Sequence, residues 1–191
     1  MDAQQIEWVP TWARDAVFYH IYPLGFFGAP PVNNRQNSIS PRLAELSSWY
    51  DHITGLGATA LYFGPLFESA THGYDTIDYF RIDRRLGDTT IFRQIVEELH
   101  ARGLRVIVDG VFHHSGRDFF AFQDICQHKR DSEYKDWYYI NWGADSDFGD
   151  GFAYDCWEGY QTLPRFNLSN PPTRKYIFEV ARMWLGDYHL D

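Results

Sequence analysis

An α/β fold built on a parallel sheet is predicted by three observations. Short apolar runs at 16–22, 58–63 and 104–108 alternate with stretches of helical periodicity. The runs at 58–63 and 104–108 lack polar alternation, as in strands buried on both faces of a parallel sheet. Strand and helix recur three times before Asp191, where a fourth strand is due.

Strand one, Ala16 to Tyr22, stops at Pro23 before a loop rich in Gly, Pro and Asn from Gly25 to Asn37. Ser40 and Pro41 read as an N-cap and first helical residue. Leu43, Leu46, Trp49 or Tyr50, Ile53 and Leu56 then recur at helical spacing up to Gly57. Strand two, Ala58 to Phe63, is closed by Gly64-Pro65, and a polar loop follows. Thr89 to Arg102 places Ile91, Phe92, Ile95, Val96 and Leu99 on one helical face, with Gly103 as the residue just past its end. Strand three, Leu104 to Val108, ends on Asp109. From His113 to Asn167 no periodicity is sustained, which suits a small irregular insertion. Asn170-Pro171 restarts a helix whose buried face is Tyr176, Ile177, Val180, Ala181, Trp184 and Leu185.

Composition narrows the partners. The 191 residues suffice for a domain with its own core, and the net charge of −9 argues against nucleic acid or an anionic membrane surface. Aromatics form 18% of the chain, including 7 Trp and 13 Tyr, an excess that suggests surfaces stacking on flat ligands or rings as well as a core. Cys126 and Cys156 lack metal-type spacing and read as thiols in a reducing compartment. With no signal-peptide pattern after Met1 and no bilayer-spanning apolar run, a soluble cytoplasmic protein is expected.

Active sites on parallel barrels lie at the C-terminal ends of the strands, so polar residues there carry weight. Asp109-Gly110-Val111-Phe112-His113-His114 brings a carboxylate and imidazoles out of an apolar strand. Taken alone, this run reads first as a structural Asp and a satisfied His. Zinc is set aside, since no H-E-x-x-H or Cys/His set accompanies the histidines. His72-Gly73-Tyr74-Asp75, after strand two, offers a ring for a sugar face and an acceptor for its hydroxyls, or equally a tight turn with an incidental Tyr.

Together with Asp78-Tyr79-Phe80-Arg81-Ile82-Asp83 and Leu163-Pro164-Arg165-Phe166-Asn167, these blocks stand in an order that resembles the α-amylase family, glycoside hydrolase family 13. The likeness runs from about Val17 to Asp191 and is nearest the cyclomaltodextrinase, neopullulanase and α-glucosidase branch. It implies the first three βα units of a TIM (β/α)₈ barrel: residues 1–112 in domain A, an irregular domain B over 113–169, and barrel helix three over 170–191. It implies that Tyr74 stacks on the sugar at the cleavage subsite, that His114 hydrogen-bonds this sugar, and that Asp109 supports the hydrogen-bond network. It implies, too, that Asp75 binds the sugar at its non-reducing side in exo-acting members. The substrate implied is an α-linked glucose oligosaccharide or polysaccharide, with no cofactor.

The chain departs from the family pattern in places. Many members have Asn at His113 and Asp at Arg165, where they hold calcium; a guanidinium has no acceptor, so no metal is expected there. Asp145, Asp147 and Asp150 miss the calcium-loop spacing by one position and read as a solvated acidic loop. The chain starts almost at strand one, without the β-domain of neopullulanase-like relatives. The family's nucleophile ends a Gly-Phe-Arg-Leu-Asp block on strand four, and its acid Glu follows strand five. Tyr188-His189-Leu190-Asp191 imitates that block, but the helix register aligns Asp191 with the acid preceding it. The nucleophile and acid/base are thus expected beyond Asp191, in the missing C-terminal half of the barrel, leaving this chain inactive alone. A non-catalytic carbohydrate-binding or interaction protein on the same fold is the alternative, and an isomerase or transglycosylase a third.

Overall fold

The computed structural model describes residues 9–191. A helical turn, α1 (Thr11–Arg14), leads into β1 (Phe18–Ile21), and a second, α2 (Pro23–Phe26), follows directly. A 3-10 segment over Arg42–Trp49 continues as α3 (Tyr50–Gly55) and delivers the chain to β2 (Ala60–Phe63). An antiparallel pair, β3 (Phe67–Ser69) and β4 (Thr76–Ile82), precedes α4 (Thr89–Ala101) and β5 (Arg105–Val108). Beyond lie α5 (Phe120–His128), the short strands β6 (Ile140–Asn141), β7 (Ala153–Tyr154), β8 (Cys156–Trp157) and β9 (Tyr160–Pro164), and α6 (Pro171–Asp187).

β1, β2 and β5 form one parallel sheet in that order, with His20 level with Tyr62 and Tyr62 with Ile107. Ile21, Leu61, Phe63 and Val106 are buried among Leu43, Leu46, Ile53, Phe92, Val96 and Leu99. Strand two is expected to be buried on both faces, yet Tyr62 is only half-buried, as is Ile107 in β5, and His20 beside Tyr62 is exposed. Three strands do not close a barrel, so helices cover one face and the other stays open.

The helices differ in detail from expectation. Asp88 caps α4 by accepting from the Ile91 N–H, and Asn170 caps α6 by accepting from the Thr173 N–H. Ser40, expected to cap the helix after strand one, gives its N–H to the Arg84 carbonyl instead, and the segment begins as a 3-10 turn. Tyr50 faces inward rather than Trp49; Leu56 and Leu185 are exposed. The loop after strand two contains the β3–β4 pair, and the irregular segment holds α5, whose Ala121, Phe122 and Ile125 are buried.

A buried ion pair holds the loops near the strand ends. The Asp83 carboxylate accepts from Arg85 Nε at 2.9 Å and Nη2 at 2.7 Å, and from the Ser69 N–H and hydroxyl. Arg85 Nη1 reaches the carbonyls of Pro30 and Thr71, pinning two loops to one charge. Breaking such a fully paired buried site costs about 3–5 kcal/mol, because one charge is left uncompensated.

Candidate functional site

A cleft of about 550 Å³ opens beyond the C-terminal ends of β2 and β5. Its lining includes His72, Tyr74, Asp109, His113 and His114, together with Trp157 and Tyr160. Tyr74, Asp109 and His114, expected to converge, therefore share one cavity. Asp75 does not line it: the residue is 6% exposed, its Oδ2 accepting from the Thr71 hydroxyl at 2.6 Å and its Oδ1 buried with no hydrogen-bond partner.

Asp109 follows β5 directly, its N–H held by the Phe63 carbonyl at 2.9 Å. The buried Tyr79 hydroxyl reaches the carbonyls of Val111 and His114 at 2.9 and 2.6 Å and fixes the turn that carries His114. Tyr79 is fixed in turn by Trp184, whose indole N–H donates to its carbonyl while the ring stacks on Phe67 at 3.9 Å. A Cβ on Gly116 would lie 2.4 Å from the Asp75 carbonyl oxygen, so only glycine lets these two loops approach this closely.

The Tyr74 carbonyl lies 3.1 Å from His114 Nε2. A carbonyl only accepts, so Nε2 carries the proton, and the neutral ring accepts at Nδ1 from His113, 3.3 Å away. Burial pushes the His114 pKa down to about 4, aided by the neighbouring histidines against the Tyr74 hydrogen bond. Burial, then the Asp109 carboxylate beside it, pushes the Tyr74 phenol up to about 12; the same causes raise Tyr62. Tyr62 stacks on His20 at 4.4 Å.

The site thus gathers rings and hydrogen-bonding groups with one carboxylate, Asp109, the sole Asp or Glu in its lining among the described residues. Asp191 lies at the opposite end of the sheet. Its carboxylate takes Arg105 Nη1 at 2.5 Å and the Val106 N–H at 2.9 Å, both at the start of β5, and His100 Nε2 of α4 at 2.7 Å. It does not line the cleft.

The residues at the family's calcium position do not fit the ion. Arg165 stacks over Tyr139 and pairs with Asp155 at 3.7 Å, placing a cation where an oxygen ligand would be needed. The acidic run is not wholly solvated as expected: Asp150 is a half-buried bidentate partner of Arg117, and Asp145 accepts from the Ser146 and Gly151 N–H groups. Cys126 and Cys156 are both free thiols, and burial pushes Cys126 up to about 11. No helix among the described residues is long and apolar enough to cross a membrane.

Trp157 and Tyr160 were not singled out from the sequence. Their signal is the Glu158-Gly159 pair between two aromatics, since both turn residues take positive φ, 46° and 86°, as a two-residue hairpin requires. Tyr62 carries no signal in the sequence because its strand reads as buried on both faces, and His20 none because it lies inside a strand rather than after one.

The order of motifs, the sheet and the cleft agree with comparisons to known proteins. Residues 32–191 match the α-amylase catalytic domain. The chain is 36% identical to neopullulanase 2 of Thermoactinomyces vulgaris, covering 92% of this chain and 33% of that protein. It is 34% identical to a cyclomaltodextrinase of a Bacillus species, covering 95% and 35%. The chain thus spans about a third of the length of the curated relatives it matches. Among solved structures, a cyclic α-maltosyl-(1→6)-maltose hydrolase from Arthrobacter globiformis, in complex with that sugar, superposes with a TM-score of 0.81 at 33% identity, covering 96% of this chain and 44% of that one. On this evidence the chain belongs to the α-amylase family, glycoside hydrolase family 13, in its cyclomaltodextrinase- and neopullulanase-like branch, and its parallel sheet is part of an α/β barrel.

Proposed function

We propose that residues 1–191 are the sugar-holding N-terminal portion of a retaining hydrolase or transferase acting at α-glucosidic bonds. The observation that carries this reading is the meeting of Tyr74, Asp109 and His114 in one cleft at the C-terminal end of a parallel sheet. Tyr74 stacks on a glucosyl ring, and Asp109 orders the hydroxyls around it. His114 donates from Nε2 to a sugar hydroxyl that takes the place of the Tyr74 carbonyl. Asp75, buried against Thr71 and outside the cleft lining, is left out of the sugar contacts. Residues 1–112 form the barrel part, 113–169 domain B, and 170–191 the third barrel helix.

Retaining chemistry uses two carboxyl groups about 5–5.5 Å apart, one as nucleophile and one as acid/base. The cleft lining holds one. With Asp109 read as a sugar-holding group, we place both catalytic groups beyond residue 191, in a C-terminal half that would pack on the half-buried Ile107 and Val108. Relatives named neopullulanase, cyclomaltodextrinase and cyclic α-maltosyl-(1→6)-maltose hydrolase support an α-linked glucan as substrate. A Bacillus subtilis relative named an intracellular maltogenic amylase supports a cytoplasmic site.

Calorimetric titration with maltotriose, against cellotriose as the β-linked control, tests this. Binding of maltotriose alone, weakened at least tenfold by Tyr74→Ala, is expected. Equal binding of both sugars, or of neither, contradicts it. A parent reading frame that binds maltotriose yet encodes no nucleophile block would favour the non-catalytic carbohydrate-binding alternative.

A further inference from the structure

We infer that a pocket lined by Arg42, Arg84 and Arg85, between the loop that precedes the 3-10 segment and the turn that follows β4, is an anion site for a phosphate group, free or carried on a small monoester. It shares no lining residue with the cleft, so the inference stands apart from the sugar reading.

The pocket measures about 240 Å³, and its lining holds three arginines and no Asp or Glu, on a chain whose net charge is −9. The three charges are not equivalent. Arg85 is buried and neutralised by Asp83. Arg84 gives its Nε to Glu68 at 2.5 Å and its Nη1 to the Arg35 carbonyl. Arg42 differs: its Nη1 donates to the Arg85 carbonyl at 2.9 Å, and among the described residues no carboxylate pairs with it. A half-buried guanidinium is partly stripped of water, so a counter-anion beside it is favourable.

The rest of the lining suits an oxyanion. The Asn37 amide and the Ser38 and Ser40 hydroxyls have no hydrogen-bond partner among the described residues, which leaves neutral donors for oxygens that Arg42 does not reach. A phosphate group offers several acceptor oxygens with dense charge, the geometry that a guanidinium fork binds in pairs. A metal cation is disfavoured by the same guanidinium groups and by the lack of a carboxylate ligand. The wall is also held in place: the Ser40 N–H donates to the Arg84 carbonyl and the Leu43 N–H to the Leu86 carbonyl, both at 2.8 Å, while Arg85 Nη1 ties in the Pro30 carbonyl. Little reorganisation is therefore needed on binding.

Calorimetric titration of the 191-residue chain with inorganic phosphate, and separately with glucose 6-phosphate, at neutral pH in chloride buffer tests this. Saturable phosphate binding in the millimolar range or tighter is expected. Arg42→Gln is expected to weaken it at least about tenfold, and Arg42→Lys to recover part of the loss by restoring the charge without the fork. Lys175→Gln, on the surface of α6, is the control and is expected to leave binding unchanged. Tighter binding of glucose 6-phosphate assigns the site to a monoester, and tighter binding of phosphate assigns it to the free ion. In the wild type, phosphate is expected to shift the amide signals of Ser38, Ser40 and Arg42, a readout that needs no variant to fold. Three results would overturn the site: no saturable binding of either ligand, binding unaltered in folded Arg42→Gln, or shifts confined to the basic surface of Arg174, Lys175 and Arg182. Maltotriose binding at the cleft is untouched by any of them.

Discussion

His114 shows how a single residue couples the cleft to stability. Burial holds its folded-state pKa at about 4, below the ordinary imidazole value of about 6.5. Between those pH values the unfolded chain takes up a proton that the folded chain refuses, so stability falls as pH drops through that window and levels off below it. His114→Gln is expected to flatten this part of the pH dependence of the urea midpoint; identical slopes in both proteins would contradict the assigned environment. Gly116 is the second such position. Because an added Cβ meets backbone at 2.4 Å, Gly116→Ala is expected to destabilise by about 1–3 kcal/mol, and an unchanged midpoint would show that the two loops part easily. Tyr74, Asp109 and His114 were legible because each follows an apolar run at its C-terminal end. Asp75 was placed in the cleft by its neighbour Tyr74, but successive residues of a turn point different ways, and it is buried against Thr71 instead.

At the scale of elements, helices with strong caps were read well and those without were not. Asn170-Pro171 and the Gly103 stop mark their helices because each satisfies or ends a run of backbone groups. Leu43 and Leu46 are three apart, a spacing that suits a 3-10 turn as well as an α-helix, so the segment before α3 was read as one helix. The short strands of 113–169 were illegible because two-residue pairings leave no period to detect. The end of α6 is tied to the sheet through Asp191. Burial pushes its carboxyl up, but the Val106 N–H, Arg105 and His100 outweigh this and hold its pKa below the ordinary range. The stabilisation is complete above that range and is lost as pH falls through the depressed value. Asp191→Ala is expected to cost about 1–3 kcal/mol at neutral pH in urea unfolding, the size of hydrogen bonds from a backbone N–H, a guanidinium and an imidazole to a carboxylate. No loss at pH 7 would show that the α6–β5 junction is held by packing alone.

On the scale of the whole molecule, the aromatic excess proves to serve the core more than the ligand. Tyr79, Phe119, Phe166 and Tyr176 join β4, the irregular segment and α6 into one packed cluster, and a smaller set of rings faces the cleft. Composition cannot distinguish these uses, because a ring contributes the same count whether it packs or binds. The parallel α/β architecture was legible from three alternations; the open second face was not, since a strand's apolar run does not say what covers it. With one carboxylate in the cleft lining and Asp191 at the far end of the sheet, the 191-residue chain is expected to bind maltooligosaccharides without hydrolysing them. Hydrolysis abolished by Asp191→Asn would refute that placement. The most direct measurement is an amide chemical-shift map of the chain titrated with maltotriose. The account predicts saturable shifts concentrated at Tyr74, Asp109, His113, His114 and Trp157. Shifts confined to the α4 surface, or none at millimolar sugar, would contradict it.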